Sequence, residues 1–195
     1  MRETCIERET SETTIALRLD LDGTGDVDVD TGIAFFDHML NAIGRHGQFD
    51  LRIQARGDLA IDAHHTVEDV GIVLGQAITR SLGDKTGITR FGDAFVPMDE
   101  ALAFAAVDIS GRGQLYWDVK LPIEFIGSFD TTLFKEFLVA LAANAKLTLH
   151  VRSLSGENAH HIIEAAAKAI ARALRCAVAF DTRGTNRVPS TKGVL

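Results

Sequence analysis

The pattern His-His-x-x-Glu occurs twice in this chain, in "IDAHHTVEDVGIVLG" and in "GENAHHIIEAAAKAIARAL". Nothing else in the sequence restricts the possible folds as much, because each copy opens an apolar run with helical periodicity. His64, His65 and Glu68 lie 96 positions before His160, His161 and Glu164. The segments upstream correspond as well. "LRLDLDGTG" is matched by "FAAVDISGRG", with Gly25 and Gly113 as turn glycines 88 positions apart. The strand-like "FDLRIQARG" is matched by "LTLHVRSLSG"; counted back from each His pair, Leu51 and Ile53 fall on Leu147 and Leu149. Self-similarity of this kind marks an internal duplication. It predicts an α+β fold in which a strand-strand-helix-strand-helix unit is used twice. The halves are residues 1–92 and 93–181, sharing one compact domain. The two offsets place about eight extra residues between turn and helix in the second half.

Periodicity fills in the elements. Ile15, Leu17, Leu19 and Leu21 alternate with polar or small neighbours, as does "GDVDVDTG", and both read as strands. Phe35, Met39 and Ile43 form one stripe of a helix. The first His-His helix is expected to run to about Gly83 and the second to about Arg175. "FIGSFDTTLFKEFLVALAANA" reads as one long helix between them. Residues 182–195 carry Gly, Pro, Ser and the basic Arg183, Arg187 and Lys192, a composition that predicts an extended tail.

Composition excludes several classes. With 20 Lys and Arg against 27 Asp and Glu, the net charge of -7 argues against nucleic acid as a partner. Cys5 and Cys176 form no paired motif, which fits a reduced, cytoplasmic compartment. The charged start "MRETCIERET" resembles neither a signal peptide nor a membrane anchor, and no apolar run reaches membrane-span length.

The doubled motif points to metal chemistry. Adjacent helix residues point about 100° apart, so His64 and His65 cannot share one ion. Residues four apart share a face, so His64 with Glu68, and His160 with Glu164, can each grip one. His65 and His161 then reach sideways to a different ion. Two metals follow, each bound by His and Glu of one copy and the neighbouring His of the other. His38 and His150 are either structural histidines or further ligands. Counting them gives four donors per ion and leaves open positions on an octahedral metal. Imidazole and carboxylate without thiolate suit Mn, Fe, Co or Zn. Asp62 and Asp69 are either partners of the ligands or charges placed for the helix dipole. His46, in "GRHGQF", is a turn residue or a substrate contact.

"TGIAFFDHML", "DAHHTVEDVGIVLG", "VPMDEAL", "GENAHHIIEAAAKAIARALR" and "PSTKGVL" closely resemble the imidazoleglycerol-phosphate dehydratase family of histidine biosynthesis, over nearly the whole chain. The resemblance implies a fold like the second domain of ribosomal protein S5, duplicated, with two Mn(II) per active site. It implies a 24-subunit homo-oligomer with active sites between subunits. One metal would take His38, His65, His160 and Glu164, and the other His64, Glu68, His150 and His161. The substrate, imidazole glycerol phosphate, would lose water to give imidazole acetol phosphate. Its imidazole would pass through a metal-stabilised imidazolate and a diazafulvene, which acidifies the neighbouring C–H. Glu12 resembles a substrate-contact glutamate and, with Glu68 and Glu164, makes up the candidate catalytic carboxylates. Arg90, Arg112, Ser190, Thr191 and Lys192 resemble the phosphate contacts, for which arginine supplies bidentate geometry.

Two other classes fit the residues alone. A dinuclear metal-dependent phosphate-ester hydrolase would use the same ions and arginines. A non-enzymatic protein could use the His-His-x-x-Glu sites as clips that hold an oligomer together.

Overall fold

The computed structural model describes residues 2–183 and 187–195. In the first half a hairpin of β1 (Glu3–Glu9) and β2 (Thr13–Asp20) is followed by β3 (Val27–Asp30), α1 (Ala34–Gly47), β4 (Asp50–Gly57) and α2 (His64–Leu82). The second half repeats the order with β5 (Phe91–Met98), β6 (Ala101–Asp108), β7 (Gln114–Asp118), α3 (Thr132–Ala145), β10 (Thr148–Ser155) and α4 (Ala159–Val178). A small hairpin of β8 (Phe125–Ile126) and β9 (Phe129–Asp130) is inserted before α3. The sheets have the same strand order, β1-β2-β4-β3 and β5-β6-β10-β7. In each, the strand before the first helix runs parallel to the strand after it, so that helix is the crossover.

Four differences from the sequence expectation have physical causes. Each half begins with one strand more than the expected unit, because β1 and β5 are edge strands. Only Ile6 is buried in β1 and only Val96 in β5, so neither shows a clean alternation. The expected long helix starts only at Thr132. Gly127 adopts φ 60° in the tip of the β8–β9 hairpin, and Asp130 Oδ1 accepts the Thr132 amide at 2.9 Å, ending one element and starting the next. The second His-His helix continues past Arg175 to Val178. Of the expected extended tail, residues 184–186 lie outside the described residues; the rest contains a turn in which the Gly193 amide donates to the Ser190 carbonyl.

A fifth difference concerns the repeat's register. Leu19 pairs with Leu51 in the first sheet, and Val107 pairs with Leu149 in the second. Residues 19 and 107 differ by 88, and residues 51 and 149 by 98. Leu51 is therefore equivalent to Leu149 rather than to Leu147, and Ile53 to Val151. The second half gains ten residues before α3, which form the β8–β9 region, and loses two between β10 and α4. A slip of two keeps every strand side chain on its own face, so the hydrophobic pattern cannot reveal it.

The inner faces of the two sheets enclose the helices. α2 lies against β1 and β2, α4 lies against β5 and β6, and the helix pairs α1–α4 and α2–α3 cross between the halves. Gly71 and Gly75 allow α2 to approach α3 closely, since a Cβ on either would lie 2.6–2.7 Å from α3 carbonyl oxygens. Phe36 of α1 and Phe137 of α3 meet edge to face at 5.1 Å, both fully buried. Truncating either to Ala would cost about 3–5 kcal/mol. The outer faces differ. That of the first sheet carries Arg52 and Arg56 paired with Asp26 and Asp30, whereas that of the second exposes Phe91, Phe95 and Tyr116. Among the described residues, no helix is long and apolar enough to cross a membrane.

Candidate metal centre

The packing of α1 on α4 brings His38 to the beginning of α4. There His38 Nε2 and His160 Nε2 lie 3.3 Å and 3.1 Å from the same carboxylate oxygen, Glu164 Oε2. One donor atom from each of the three residues lies within 4.8 Å of the other two. Among the described residues this is the only such group of three or more. Phe35 packs its ring edge against His160, with centroids 5.1 Å apart. Lys168, one turn further along α4, places Nζ 2.7 Å from Glu164 Oε1. Burial opposes ionisation of Glu164, but hydrogen bonds from Lys168 and His38 outweigh it and hold the carboxyl below its usual range.

Residues four apart do share a face. His64 Nε2 lies 3.8 Å from Glu68 Oε2 across one turn, and His160 Nε2 lies 3.1 Å from Glu164 Oε2. The adjacent rings diverge, with interplanar angles of 89° for His64 and His65 and 79° for His160 and His161. His65 turns toward Asp58, with Nδ1 2.9 Å from Oδ2, and its Nε2 is 3.8 Å from Glu12 Oε1. His161 turns toward Glu100, with Nδ1 2.7 Å from Oε2. Hydrogen bonding to these carboxylates raises the pKa of both histidines. Glu100 is held at about 2 by the His161 hydrogen bond and by the amides of Asn158 and Glu157. His150 projects from β10 and stacks on Tyr116 at 4.4 Å.

A single chain thus gathers His38, His160 and Glu164, three of the four ligands expected at one ion, without His65. The four expected at the other are not gathered. His64 and Glu68 form a pair, while His150 and His161 have other neighbours. Of the two carboxylates considered as ligand partners, neither touches a histidine ring. Asp62 accepts the His64 backbone amide at 2.8 Å, from one residue before the N-cap Ala63 of α2. Asp69 is buried and binds Arg8 and the Thr13 hydroxyl, tying α2 to the first hairpin. The carboxylates that do hold the rings, Asp58 and Glu100, come from the loop after β4 and the turn between β5 and β6. No local spacing marks them, and Lys168 reads in the sequence as an ordinary helix charge.

The basic residues converge on the tail. Arg90 is bound through Nε to Asp108 Oδ1 at 2.7 Å and through Nη1 to the Pro189 carbonyl at 2.8 Å. Its immediate role is to anchor the segment that carries Ser190, Thr191 and Lys192. The chain end lies on the turn at Gly111, where a Cβ would be 2.9 Å from the Leu195 carbonyl carbon. Arg112 is exposed beside it. His46, in the last turn of α1, is lowered in pKa by partial burial and then by the positive charges of Lys168 and Arg172. Glu12 is exposed at the β1–β2 turn.

Twinned three-strand, crossover-helix units with a His–Glu cluster at the head of one helix pair define an α+β protein with a candidate metal centre. Comparison with known proteins makes this particular. The imidazoleglycerol-phosphate dehydratase family matches residues 31–174. A dehydratase of that name from Acidiphilium cryptum is 61% identical over all of this chain and 99% of its own length. One from Desulforamulus reducens is 58% identical over all of this chain and 98% of its length. The crystal structure of the Staphylococcus aureus enzyme superposes with a TM-score of 0.84 at 38% identity, covering 92% of this chain and 99% of that one. That of the Pyrococcus furiosus enzyme, in complex with (S)-C348, gives 0.83 at 41% identity, covering 97% and 100%. The chain belongs to the imidazoleglycerol-phosphate dehydratase family, and is therefore a lyase of histidine biosynthesis.

Proposed function

We propose that this chain removes water from imidazole glycerol phosphate, giving imidazole acetol phosphate, with two divalent ions, Mn(II) by preference, at each active site. The observation that carries the metal reading is the convergence of His38, His160 and Glu164 donors within 4.8 Å. Two imidazole nitrogens and one carboxylate oxygen suit a borderline-to-hard ion, and the spacing leaves room for one between them. We assign His65 as the fourth ligand there, and His64, Glu68, His150 and His161 to the second ion. When bound, the ions act as Lewis acids on the imidazole and as a template for its orientation.

The chain's own groups do the rest. Arg112, Lys192, Ser190 and Thr191 bind the phosphate, with Arg90 fixing the tail that carries three of them. Lys168 and Arg172 extend positive charge along α4 from the metal cluster, beside a His46 that burial and their charges hold toward its neutral form. Glu12 takes the carbon-bound proton; it is exposed, and its carboxylate has no side-chain or backbone hydrogen-bond donor among the described residues. The lost hydroxyl leaves as water, and the resulting enol tautomerises to the ketone.

The donors assigned to the second ion are apart within one chain, which supports sites completed between subunits; the family resemblance implies a homo-oligomer of 24. The exposed aromatic face of the second sheet, which bears His150, supports assembly through that face. The two halves, 1–92 and 93–181, act as one domain, and the cytoplasm is the compartment that suits the free thiols of Cys5 and Cys176. Turnover with product identification tests the whole reading. A phosphorylated ketone is expected; release of inorganic phosphate would replace the dehydratase by a hydrolase. Chelation should abolish turnover and Mn(II) restore it, and full activity in metal-stripped protein would end the metal reading.

A further inference from the structure

The repeat's corrected register makes Glu12 and Glu100 equivalent. Each is the last residue before the second strand of its hairpin, 88 positions apart, and each is close to the second histidine of its own half. Their surroundings differ. Glu100 is locked: its Oε1 accepts the amides of Glu157 and Asn158 at 3.1 Å and 2.9 Å, and its Oε2 meets His161 Nδ1 at 2.7 Å. Glu12 is 3.8 Å from the other ring nitrogen, Nε2, of His65, whose Nδ1 belongs to Asp58. Asp58 lies in the loop between β4 and α2, which is the one two residues longer than its counterpart in the second half.

We infer that Glu100 and Asp58 are the positioning residues of the two sideways-facing histidines, and that the longer loop in the first half frees Glu12 from this task. Each carboxylate fixes an Nδ1–H tautomer and leaves Nε2, which has only a more distant carboxylate near it (Glu12 for His65 and Asp99 for His161, each at 3.8 Å), as the nitrogen that can take an ion held by another helix. His161 then borders an open groove with Pro122, Ile123 and Glu157, where an ion from another chain has access. The two halves solve the same problem with carboxylates from different places in the chain. This assignment rests on the metal reading above. It adds that one half keeps the hairpin glutamate for the ligand while the other releases it toward the substrate.

The test measures Mn(II) binding to metal-stripped full-length protein by titration calorimetry and by electron paramagnetic resonance of free Mn(II). Glu100→Ala and Asp58→Ala should each weaken one class of Mn(II) site about 10- to 100-fold, the usual effect of removing a carboxylate behind a ligand histidine. Glu100→Gln keeps an acceptor oxygen for the two amides but turns an NH2 donor toward the ring and loses the charge, and should weaken binding at least about tenfold. Asp62→Asn, which alters the acceptor of the His64 amide and no ring, should bind as wild type. Glu12→Gln should lose turnover while binding Mn(II) normally. Wild-type Mn(II) affinity in the folded Ala variants overturns the assignment. If an Ala variant does not fold, wild-type affinity in Glu100→Gln overturns it. Wild-type protein that binds no Mn(II) would overturn the metal reading itself, and this assignment with it.

Discussion

The turn at residues 24–26 and its equivalent at residues 112–114 join equivalent strands but differ in backbone, with Gly25 at φ 87° in the first and Gly111, not Gly113, at φ 78° in the second. In the first half, Asp50 Oδ1 accepts the amides of Thr24, Gly25 and Asp26 at 2.7, 3.0 and 2.9 Å. The turn is an anion-binding nest filled by the chain's own carboxylate. In the second half, the residue equivalent to Asp50 is Thr148, whose hydroxyl meets Ser110 Oγ at 3.1 Å and the Arg112 carbonyl at 3.5 Å. There the Arg112 amide donates to Ser110 Oγ at 3.2 Å and the Gln114 amide to the Leu147 carbonyl at 3.0 Å. Arg112 extends from this turn, and the tail bearing Lys192 folds onto the adjacent Gly111. The duplicated turn is thus held by the chain's own carboxylate in one copy and by a hydroxyl and a carbonyl in the other, where Arg112 is, under the proposed function, a phosphate contact.

The sharpest way to break this comparison is to close the second turn. If Arg112 contacts the phosphate as proposed, Thr148→Asp should place a carboxylate beside it and lower kcat/KM at least about 100-fold by loss and reversal of charge-assisted contacts. Thermal unfolding should be little changed. Steady-state kinetics with a melting curve would check both, and undiminished kcat/KM would show that the phosphate lies elsewhere. Next in size are the cations. Arg112→Ala and Lys192→Ala should each raise KM about 10- to 100-fold, at roughly 1.5–3 kcal/mol per charge-assisted contact, with metal content unchanged. Thr24→Ala, at the first-half position equivalent to Arg112, should leave KM unchanged.

The smallest effect opens the closed turn. Asp50→Thr should leave activity intact and destabilise the protein by about 1 kcal/mol, lowering the melting temperature by about 2–4 °C. Its pH dependence has a definite sign. The backbone hydrogen bonds from Asp26 and Thr24 hold the folded-state pKa of Asp50 below the ordinary Asp value. The group therefore stabilises the fold above the unfolded pKa and loses that contribution as pH falls through the lowered one. The stability gap between wild type and Asp50→Thr should be full at neutral pH and close in acid. Chemical denaturation from pH 7 to pH 3 would measure it, and a gap that stays constant would show that the carboxylate charge is not what closes the turn.

Much of this was legible before any coordinates. The strand alternation through Leu17 and Leu19, the helix starts at the two His pairs, and the shared face of His160 with Glu164 follow from periods of two and 3.6 residues. The β8–β9 hairpin was hidden because Phe125, Ile126 and Phe129 also fit an apolar helix pattern, and only the positive φ of Gly127 breaks it. The equivalence of Leu51 with Leu149 was hidden for a different reason: a two-residue slip leaves each face unchanged, and the sheet pairing alone decides between the two.

By itself the sequence determined the duplicated α+β plan, the His and Glu donors on common helix faces, and through its motifs the dehydratase family. These are properties of near neighbours along the chain, where geometry is dictated by backbone period. The tertiary structure decided which His met which carboxylate. Glu100 reaches His161 across 61 positions, His38 reaches Glu164 across 126, and Arg90 reaches Pro189 across 99. Such contacts are set by how sheets and helices pack, and no local pattern encodes the distance between residues that only the fold brings together.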